Sequence, residues 1–411
     1  MSFRNRAGGR ACIDPMRHVL IFAHGSGRGG AEYCLDTALR NFDLSAWRVT
    51  VFFPAEGPMA ESARKMGISV QICTSVWWMC EEMSLWYVRK LFGAFWRVRQ
   101  LAQWIKENHV DIVYSNTAVI FEGAMAARLA GVPHIWHIHE VMKGRHLRIS
   151  LLPVSLITRL IGKLSERVIF ESNSAQAVCK AYIPEWKSLR VYTPVRATEE
   201  EDEGRSKARQ RFGLNEHHCV VAWVGRLSLR KNPLLLVRAI PHMKRAAEAS
   251  FLMAGQGPLR DETTYEIARL GLEDRCQVIP FQNDIWSLLR ASDILVLTSD
   301  EESFGLVLVE AGACERPVVA TRTQGPSEIV VDGGTGFLIE PGNEIELAQR
   351  LDQLIADIPL REKMGKAAAV RVNELFSARK HATRIQEVFE EVVRKPESAP
   401  NRIEGTPALR S

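Results

Sequence analysis

Residues 299–319 read Ser299-Asp300-Glu301-Glu302-Ser303-Phe304-Gly305-Leu306-Val307-Leu308-Val309-Glu310-Ala311-Gly312-Ala313-Cys314-Glu315-Arg316-Pro317-Val318-Val319. The preceding Ile294-Leu295-Val296-Leu297 is a short apolar run of the kind that forms a buried strand. An acidic loop follows it and turns at Phe304-Gly305 into a helix. Glu302 is expected just outside the helix start and Glu310 about two turns in, roughly 9 Å along the axis from Phe304. A helix start offers unpaired backbone N–H groups and a positive dipole end, which suit phosphate. A carboxylate on either side of such an anion site suits the hydroxyl groups of a phosphorylated ligand.

At 411 residues the chain exceeds one typical core, so two domains are expected. Its 46% apolar and 25% charged content is that of an ordinary soluble globular protein. The net charge of +5 is uneven: residues 1–200 hold 25 Lys and Arg against 17 Asp and Glu, and the remainder holds 28 against 31. A basic first half suits an anionic partner, such as a membrane surface or a phosphorylated acceptor, or is a plain excess of solvated charge. The eight cysteines (Cys12, Cys34, Cys73, Cys80, Cys179, Cys219, Cys276, Cys314) form no C-x-x-C pair, which favours a reducing compartment over disulfides or a metal site. Met1 to Pro15 has no apolar run, unlike a secretory signal, and no stretch reaches about 18 uninterrupted apolar residues. The expected location is the cytoplasm.

Strand-like and helix-like segments alternate through the first half. The strands expected are His18–Ala23, Trp47–Phe53, Ser69–Thr74, Ile112–Ser115 and Pro133–His139. The helices between them are Ala31–Arg40, Glu61–Met66, a long zone from Ser84 to Asn108, and Glu122–Ala130 closed by Gly131. This alternation implies parallel sheets with crossover helices. It stops near Val191, and Glu199-Glu200-Glu201-Asp202-Glu203-Gly204 reads as a charged connector. It then restarts with strands Val220–Val224, Ser250–Ala254 and Val278–Ile279 and helices Pro233–Ile240 and Thr263–Leu270. The expected layout is a flexible extension over 1–16, a domain over 17–196, a second over 205–376, a terminal helix over 377–395 placed to cross back to the first domain, and a disordered tail over 396–411. Two doubly wound α/β domains place a cleft between the carboxyl edges of their sheets, where ligands bind.

Several motifs sit at those edges. Gly25-Ser26-Gly27-Arg28-Gly29-Gly30 contains the dinucleotide fingerprint G-x-G-x-x-G, but no acidic residue ends the second strand; Glu56 comes late and follows Pro54. A flexible loop at Gly29 and Gly30 that lets the backbone approach a ligand, or a mere turn, fits better. Gly225-Arg226-Leu227-Ser228-Leu229-Arg230-Lys231-Asn232-Pro233 leaves a strand and enters a helix, with Asn232 expected as N-cap and Pro233 as first helical residue. Arg226 and Lys231 then project from the loop as a fork and a point charge. Opposite the helix start at Phe304 they make a diphosphate clamp; alone, such residues commonly face solvent. Gly255-Gln256-Gly257 is a turn that passes close to a ligand or merely turns. Phe281-Gln282-Asn283-Asp284 offers backbone groups to a base edge. Glu328 is expected in the first turn of a helix, where it caps the dipole. His137 and His139 share one face of their strand, and His139 at the carboxyl edge suits a sugar hydroxyl or simple packing.

Taken together, these residues resemble glycosyltransferase family 4, the retaining GT-B enzymes. The resemblance runs from Gly29-Gly30-Ala31-Glu32 through His139-Glu140, Gly225-Arg226…Lys231 and Gly255-x-Gly257 to Glu302-Ser303-Phe304-Gly305-Leu306…Glu310. It implies an α/β GT-B fold of two Rossmann-like domains. It implies transfer of a sugar from a UDP- or GDP-linked donor, with retention, to a glycan or lipid-linked acceptor, as in cell-surface polysaccharide or glycoconjugate synthesis. Arg226 and Lys231 would hold the donor diphosphate, Glu302 the donor sugar, Glu310 the ribose hydroxyls, and the backbone of Ser303, Phe304, Gly305 and Leu306 the phosphate or sugar. His139 would support the sugar near the reacting carbon, so His139 and Glu302 are the candidate catalytic residues. No D-x-D motif is present, so neither a metal nor another cofactor is expected. Two segments depart from the family: Val191-Tyr192-Thr193-Pro194-Val195 replaces an interdomain Asn-Gly pair, and Gln324-Gly325 replaces Gly-Gly.

Residues 76–104 are dense in aromatics and bases, with five of the ten tryptophans (Trp77, Trp78, Trp86, Trp96, Trp104). This mixture suits peripheral contact with the inner face of a membrane or the packing of a domain core. No nucleic-acid partner is expected. Two other readings stay open: a sugar-nucleotide 2-epimerase of the same architecture, and a non-catalytic sugar-nucleotide-binding protein.

Overall fold

The structure, a computed structural model, describes residues 16–27, 29–80, 85–139, 149–150, 152–195 and 204–394, with only the backbone course for 80, 85–92 and 149–150. The expected extension before Met16, most of the charged connector, Glu140, the side chains of Trp86 and its neighbours, and the tail over 396–411 lie outside the described residues.

Among the described residues, fifteen strands form two large parallel sheets and one small ribbon. They are β1 (Arg17–Phe22), β2 (Trp47–Phe53), β3 (Ser69–Ile72), β4 (Met79–Cys80), β5 (Ile112–Ser115), β6 (His134–Ile138), β7 (Ile149–Ser150), β8 (Arg167–Phe170), β9 (Ser188–Arg190), β10 (Cys219–Val224), β11 (Ala249–Ala254), β12 (Cys276–Ile279), β13 (Ile294–Leu297), β14 (Val318–Thr321) and β15 (Gly336–Ile339). The first sheet runs β3-β2-β1-β5-β6-β8-β9 and the second β12-β11-β10-β13-β14-β15; β4 and β7 pair separately and antiparallel. Helices cover both faces of each sheet, which is why strands such as Val19-Leu20-Ile21-Phe22 are apolar without alternation and buried throughout.

Strand order reverses direction between β1 and β5 in the first sheet and between β10 and β13 in the second. Crevices open outside the carboxyl ends at such switch points. The glycine loop after β1 and Asn116 after β5 flank the first crevice; the Gly225–Lys231 loop after β10 and the acidic loop after β13 flank the second.

The helix Ala378–Val393 follows the second sheet in sequence, yet its buried face (Ala382, Ile385, Val388, Phe389, Val392) completes the core of the first. Phe389 lies edge-on to Trp47 and Tyr114, with centroids 5.6 and 5.4 Å away. Burying such a ring is worth roughly 2–3 kcal/mol, so this one helix ties the two halves together. Several elements went unread in the sequence: the helices Val154–Leu164, Asn173–Cys179, Ile285–Ala291, Glu344–Ala356 and Ile358–Leu375, and the strands β8 and β9.

Candidate functional site

The acidic loop and its helix differ from the expected form in one respect. The helix starts at Leu306, not Phe304, and Glu310 is its fifth residue, little more than one turn in. Gly305 is the cause. It takes φ +93°, a left-handed conformation that L side chains rarely adopt, and so forms a separate turn before the helix. Phe304 is 3% exposed and packs its ring against Phe376 and Tyr192 at 5.8 and 6.2 Å. The backbone at Phe304 is also crowded by Gly325, where a Cβ would lie 2.3 Å from the Phe304 carbonyl oxygen. Leu306 and Val307, the first two residues of the helix, are partly exposed, while the Leu308 N–H donates to the Gly305 carbonyl at 2.8 Å.

Lys231 and Glu302 meet directly. The Lys231 ammonium donates to Glu302 Oε2, which also accepts the Ser299 hydroxyl at 3.1 Å. The Arg230 guanidinium lies 3.9 Å from Oε1. Glu302 is 8% exposed. Burial alone pushes its carboxyl up, but Lys231, Arg230 and the Ser299 bond together outweigh burial and hold it below its ordinary value. Lys231 is fixed from behind: Trp223 Nε1 donates to Thr298 Oγ1 at 2.8 Å, and that hydroxyl donates to the Lys231 carbonyl at 3.0 Å. A lysine ammonium has three N–H donors, so one bond to Glu302 leaves two for an anion. Arg226 is exposed at the end of β10. Arg230, absent from the expected clamp, lies beside Lys231 against the same carboxylate; the only sequence signal was its place next to Lys231.

Other expected residues are placed as follows. Asn232 is not a side-chain cap. It takes the left-handed conformation, φ 44°, and its amide donates to Asp300 at 3.1 Å, binding the basic loop to the acidic one. Gly255 and Gly257 stand against protein backbone: added Cβ atoms would lie 1.9 Å from the Gly225 carbonyl oxygen and 2.3 Å from that of Leu227. They let the β10 and β11 loops touch. Gly29 sits under the Glu32 carboxylate, while Gly30 opens the helix Gly30–Arg40 with free space around it. Glu310 is 1% exposed. Phe281, half-exposed at the end of β12, leads into Asp284, which caps the helix Ile285–Ala291.

Glu328 corrects its expected role. It is the fifth residue of the helix Gln324–Ile329 and caps a different one: its carboxylate accepts the backbone N–H of Asn173 and Ser174 at 2.8 and 2.9 Å, in the first domain.

His139 lies at the floor of the cleft, 9% exposed. Its Nε2 is 3.1 Å from Asn116 Oδ1 and its Nδ1 3.5 Å from Glu171 Oε2. The His137 ring is 4.1 Å away, and the Tyr114 hydroxyl lies 2.5 Å from His137 Nδ1. Burial, with the nearby His139 and His381, drives His137 well below the ordinary histidine range. Among the described residues no group of three His, Cys, Asp or Glu is arranged to hold a metal ion, and no helix is long and apolar enough to cross a membrane.

Two facing Rossmann-like domains with a phosphate-suited helix start and a basic clamp at one sheet edge define a class, the GT-B glycosyltransferases. Residues 204–371 match the glycosyl transferases group 1 family and residues 28–199 match Glycosyltransferase Family 4. The chain belongs to glycosyltransferase family 4. It is 30% identical over 189 residues to an N-acetyl-alpha-D-glucosaminyl L-malate synthase of Bacillus anthracis, covering 46% of this chain. It spans about half, 50%, of that relative's length. It is 29% identical over 271 residues to an alpha-D-kanosaminyltransferase of Streptomyces kanamyceticus, covering 61% of this chain and 69% of the relative. Among solved structures, Anabaena HepE in complex with UDP and glucose superposes with a TM-score of 0.73 at 26% identity, over 90% of this chain and 99% of that one.

Proposed function

We propose that this protein is a retaining glycosyltransferase that moves a sugar from a UDP- or GDP-linked donor to a glycan or lipid-linked acceptor, in the synthesis of a cell-surface polysaccharide or glycoconjugate. The observation that carries this reading is the pairing of Lys231 with Glu302, beside Arg230 and Arg226, at the mouth of the helix Leu306–Ala313. Arg226, Lys231 and the helix-start N–H groups bind the donor diphosphate. As the glycosidic bond breaks, charge grows on that diphosphate, and these fixed donors stabilise it without reorganising. They stand where other enzymes use a divalent cation, so the reaction needs no metal or other cofactor. Glu302, held ionised and aimed by Lys231 and Ser299, accepts hydroxyls of the donor sugar; Glu310 accepts those of the ribose.

The acceptor enters from the first domain. Phe95 and Trp96 are 57% and 66% exposed on the helix Leu85–Glu107, and the Arg99 guanidinium sits 4.1 Å above the Phe95 ring. An aromatic and basic surface of this kind suits a lipid-linked acceptor at a membrane face. HepE, crystallised with UDP and glucose, supports a nucleotide-sugar donor.

The test is a panel of UDP- and GDP-sugars, followed for slow hydrolysis and for transfer to supplied acceptors. One donor is expected to be turned over, and Glu310→Ala is expected to weaken its binding roughly ten- to hundredfold through two lost hydroxyl contacts. Turnover of none, inversion at the sugar C2 without transfer, or unchanged donor affinity in Glu310→Ala overturns the reading.

A further inference from the structure

His139 and Glu171 follow neighbouring strands. The register of β6 and β8 sets Ile138 opposite Phe170, so the next residue on each strand emerges beside the other at the carboxyl edge. Both are buried, at 9% and 5% exposure. Glu171 Oε2 lies 3.5 Å from His139 Nδ1 and also accepts the Thr193 hydroxyl at 3.1 Å. Thr193 belongs to the crossover segment between the domains.

The other ring nitrogen is fixed independently. Asn116 Nδ2 donates to the Ala31 carbonyl at 3.1 Å, which turns Oδ1 towards His139 Nε2 at 3.1 Å. An amide oxygen only accepts, so Nε2 carries a hydrogen. Nδ1 then faces the Glu171 carboxylate across 3.5 Å, an ion-pair distance rather than a hydrogen bond, so the carboxylate lies against the edge of the ring opposite Asn116. Both edges of the ring face protein groups, and the His137 ring, tilted by 37°, lies 4.1 Å away.

We propose that Glu171 is a positioning residue for the transfer step: together with Asn116 it fixes the ring of His139 in one orientation at the floor of the cleft. This rests on the glycosyl-transfer reading of the site. Glu171 itself touches no donor group; it acts through His139, and through Thr193 it links that ring to the segment joining the domains. The role differs from that of Lys231 and Glu302, because it predicts a loss in turnover without a loss in donor affinity.

Two variants test it. Glu171→Leu removes the partner of Nδ1. Glu171→Gln keeps the shape, can donate its amide N–H to Nδ1 and can still accept from Thr193. In the full-length donor-free protein at pH 8, ¹⁵N ring shifts of His139 are expected to report one fixed state in wild type and Glu171→Gln, and a mixture of ring states in Glu171→Leu. With the donor found above, Glu171→Leu is expected to lose roughly ten- to hundredfold in kcat, the scale of a misplaced reacting group. Its donor Kd should stay within about twofold, and Glu171→Gln should recover most of kcat. Unchanged kcat or unchanged ring shifts in Glu171→Leu, donor affinity falling in step with kcat, or failure of Glu171→Gln to recover overturns the proposal. If no sugar nucleotide is turned over, the functional reading fails, while the ring shifts still decide the His139–Glu171 pair.

Discussion

Glu328 Oε2 accepts the backbone N–H of Asn173 at 2.8 Å, joining a helix of the second domain to the start of a helix in the first. Its other oxygen takes the N–H of Ser174, and Arg190 holds the Asn173 side chain at 2.6 Å while lying 4.4 Å from the Tyr192 ring. The cleft is thus bridged by a carboxylate acting as a helix cap. Loss of a capping carboxylate costs roughly 1 kcal/mol. Glu328→Ala is expected to shift the protein towards a more open arrangement, seen as a larger radius of gyration in solution scattering without donor. An unchanged radius would remove the latch role.

The Lys231–Glu302 pair makes a sharper prediction about stability. Lys231→Met leaves a buried carboxylate with only Arg230 and Ser299 near it, and breaking a buried pair in this way costs roughly 2–4 kcal/mol at pH 7. Glu302 is held below its ordinary value in the folded state, with burial opposing and Lys231 leading the groups that lower it. Its contribution is therefore present above the ordinary value of 4.5 and lost as pH falls through the folded one. The difference in unfolding free energy between wild type and Lys231→Met should narrow from pH 7 to pH 4. Glu302→Gln in the Lys231→Met background should restore part of the loss.

Buried histidines set the acid limb from the opposite direction. Burial lowers His134 to about 3 and His381 to about 4 from 6.5. His381 gives its Nδ1–H to the Tyr192 carbonyl at 2.8 Å and faces Cys34 at 3.6 Å. Each is neutral in the folded state, so the unfolded chain takes up these protons first as pH falls below 6.5. Stability declines from there towards pH 4. His381→Gln should reduce the difference between pH 7 and pH 5 denaturation by about 2 kcal/mol; an unaltered slope would assign the acid limb to other groups.

Trp96 separates surface from core. It is 66% exposed, whereas Trp78, in the same aromatic run, is 5% exposed, stacks on Trp136 at 5.6 Å and donates to the Ala118 carbonyl at 2.6 Å. Trp96→Ala should change unfolding free energy by less than about 0.5 kcal/mol yet weaken co-sedimentation with anionic vesicles. Equal sedimentation of the two proteins, or none by either, sinks the membrane contact.

Local rules made much of the site legible in the sequence. The strand–loop–helix at 294–313 and the basic loop at 225–233 depend on neighbours a few positions apart, where propensity and hydrogen bonding act within one segment. The errors fall where a distant partner intervened. Asn232 looked like a cap, but Asp300, 68 residues on, took its amide. Glu328 looked like the cap of its own helix, but the helix start at Asn173 lies 155 residues away in sequence and adjacent in space. Gly255 and Gly257 read as a turn close to a ligand or a plain turn, and what the sequence did not show is that a Cβ at either would meet the backbone of Gly225 or Leu227.

The amino-acid sequence by itself determined the two repeats of alternating strand and helix, the strand–loop–helix that passes through Phe304-Gly305, and which side chains emerge at the strand ends. These follow from φ preference, apolar runs and helix-start chemistry, all short-range. Only the tertiary structure decided that β6 lies beside β8, so that Glu171 meets His139; that the last helix returns to the first sheet; and that Lys231 rests on Glu302. Those pairings depend on strand order and chain crossover, which burial of the whole apolar surface selects and no local pattern encodes.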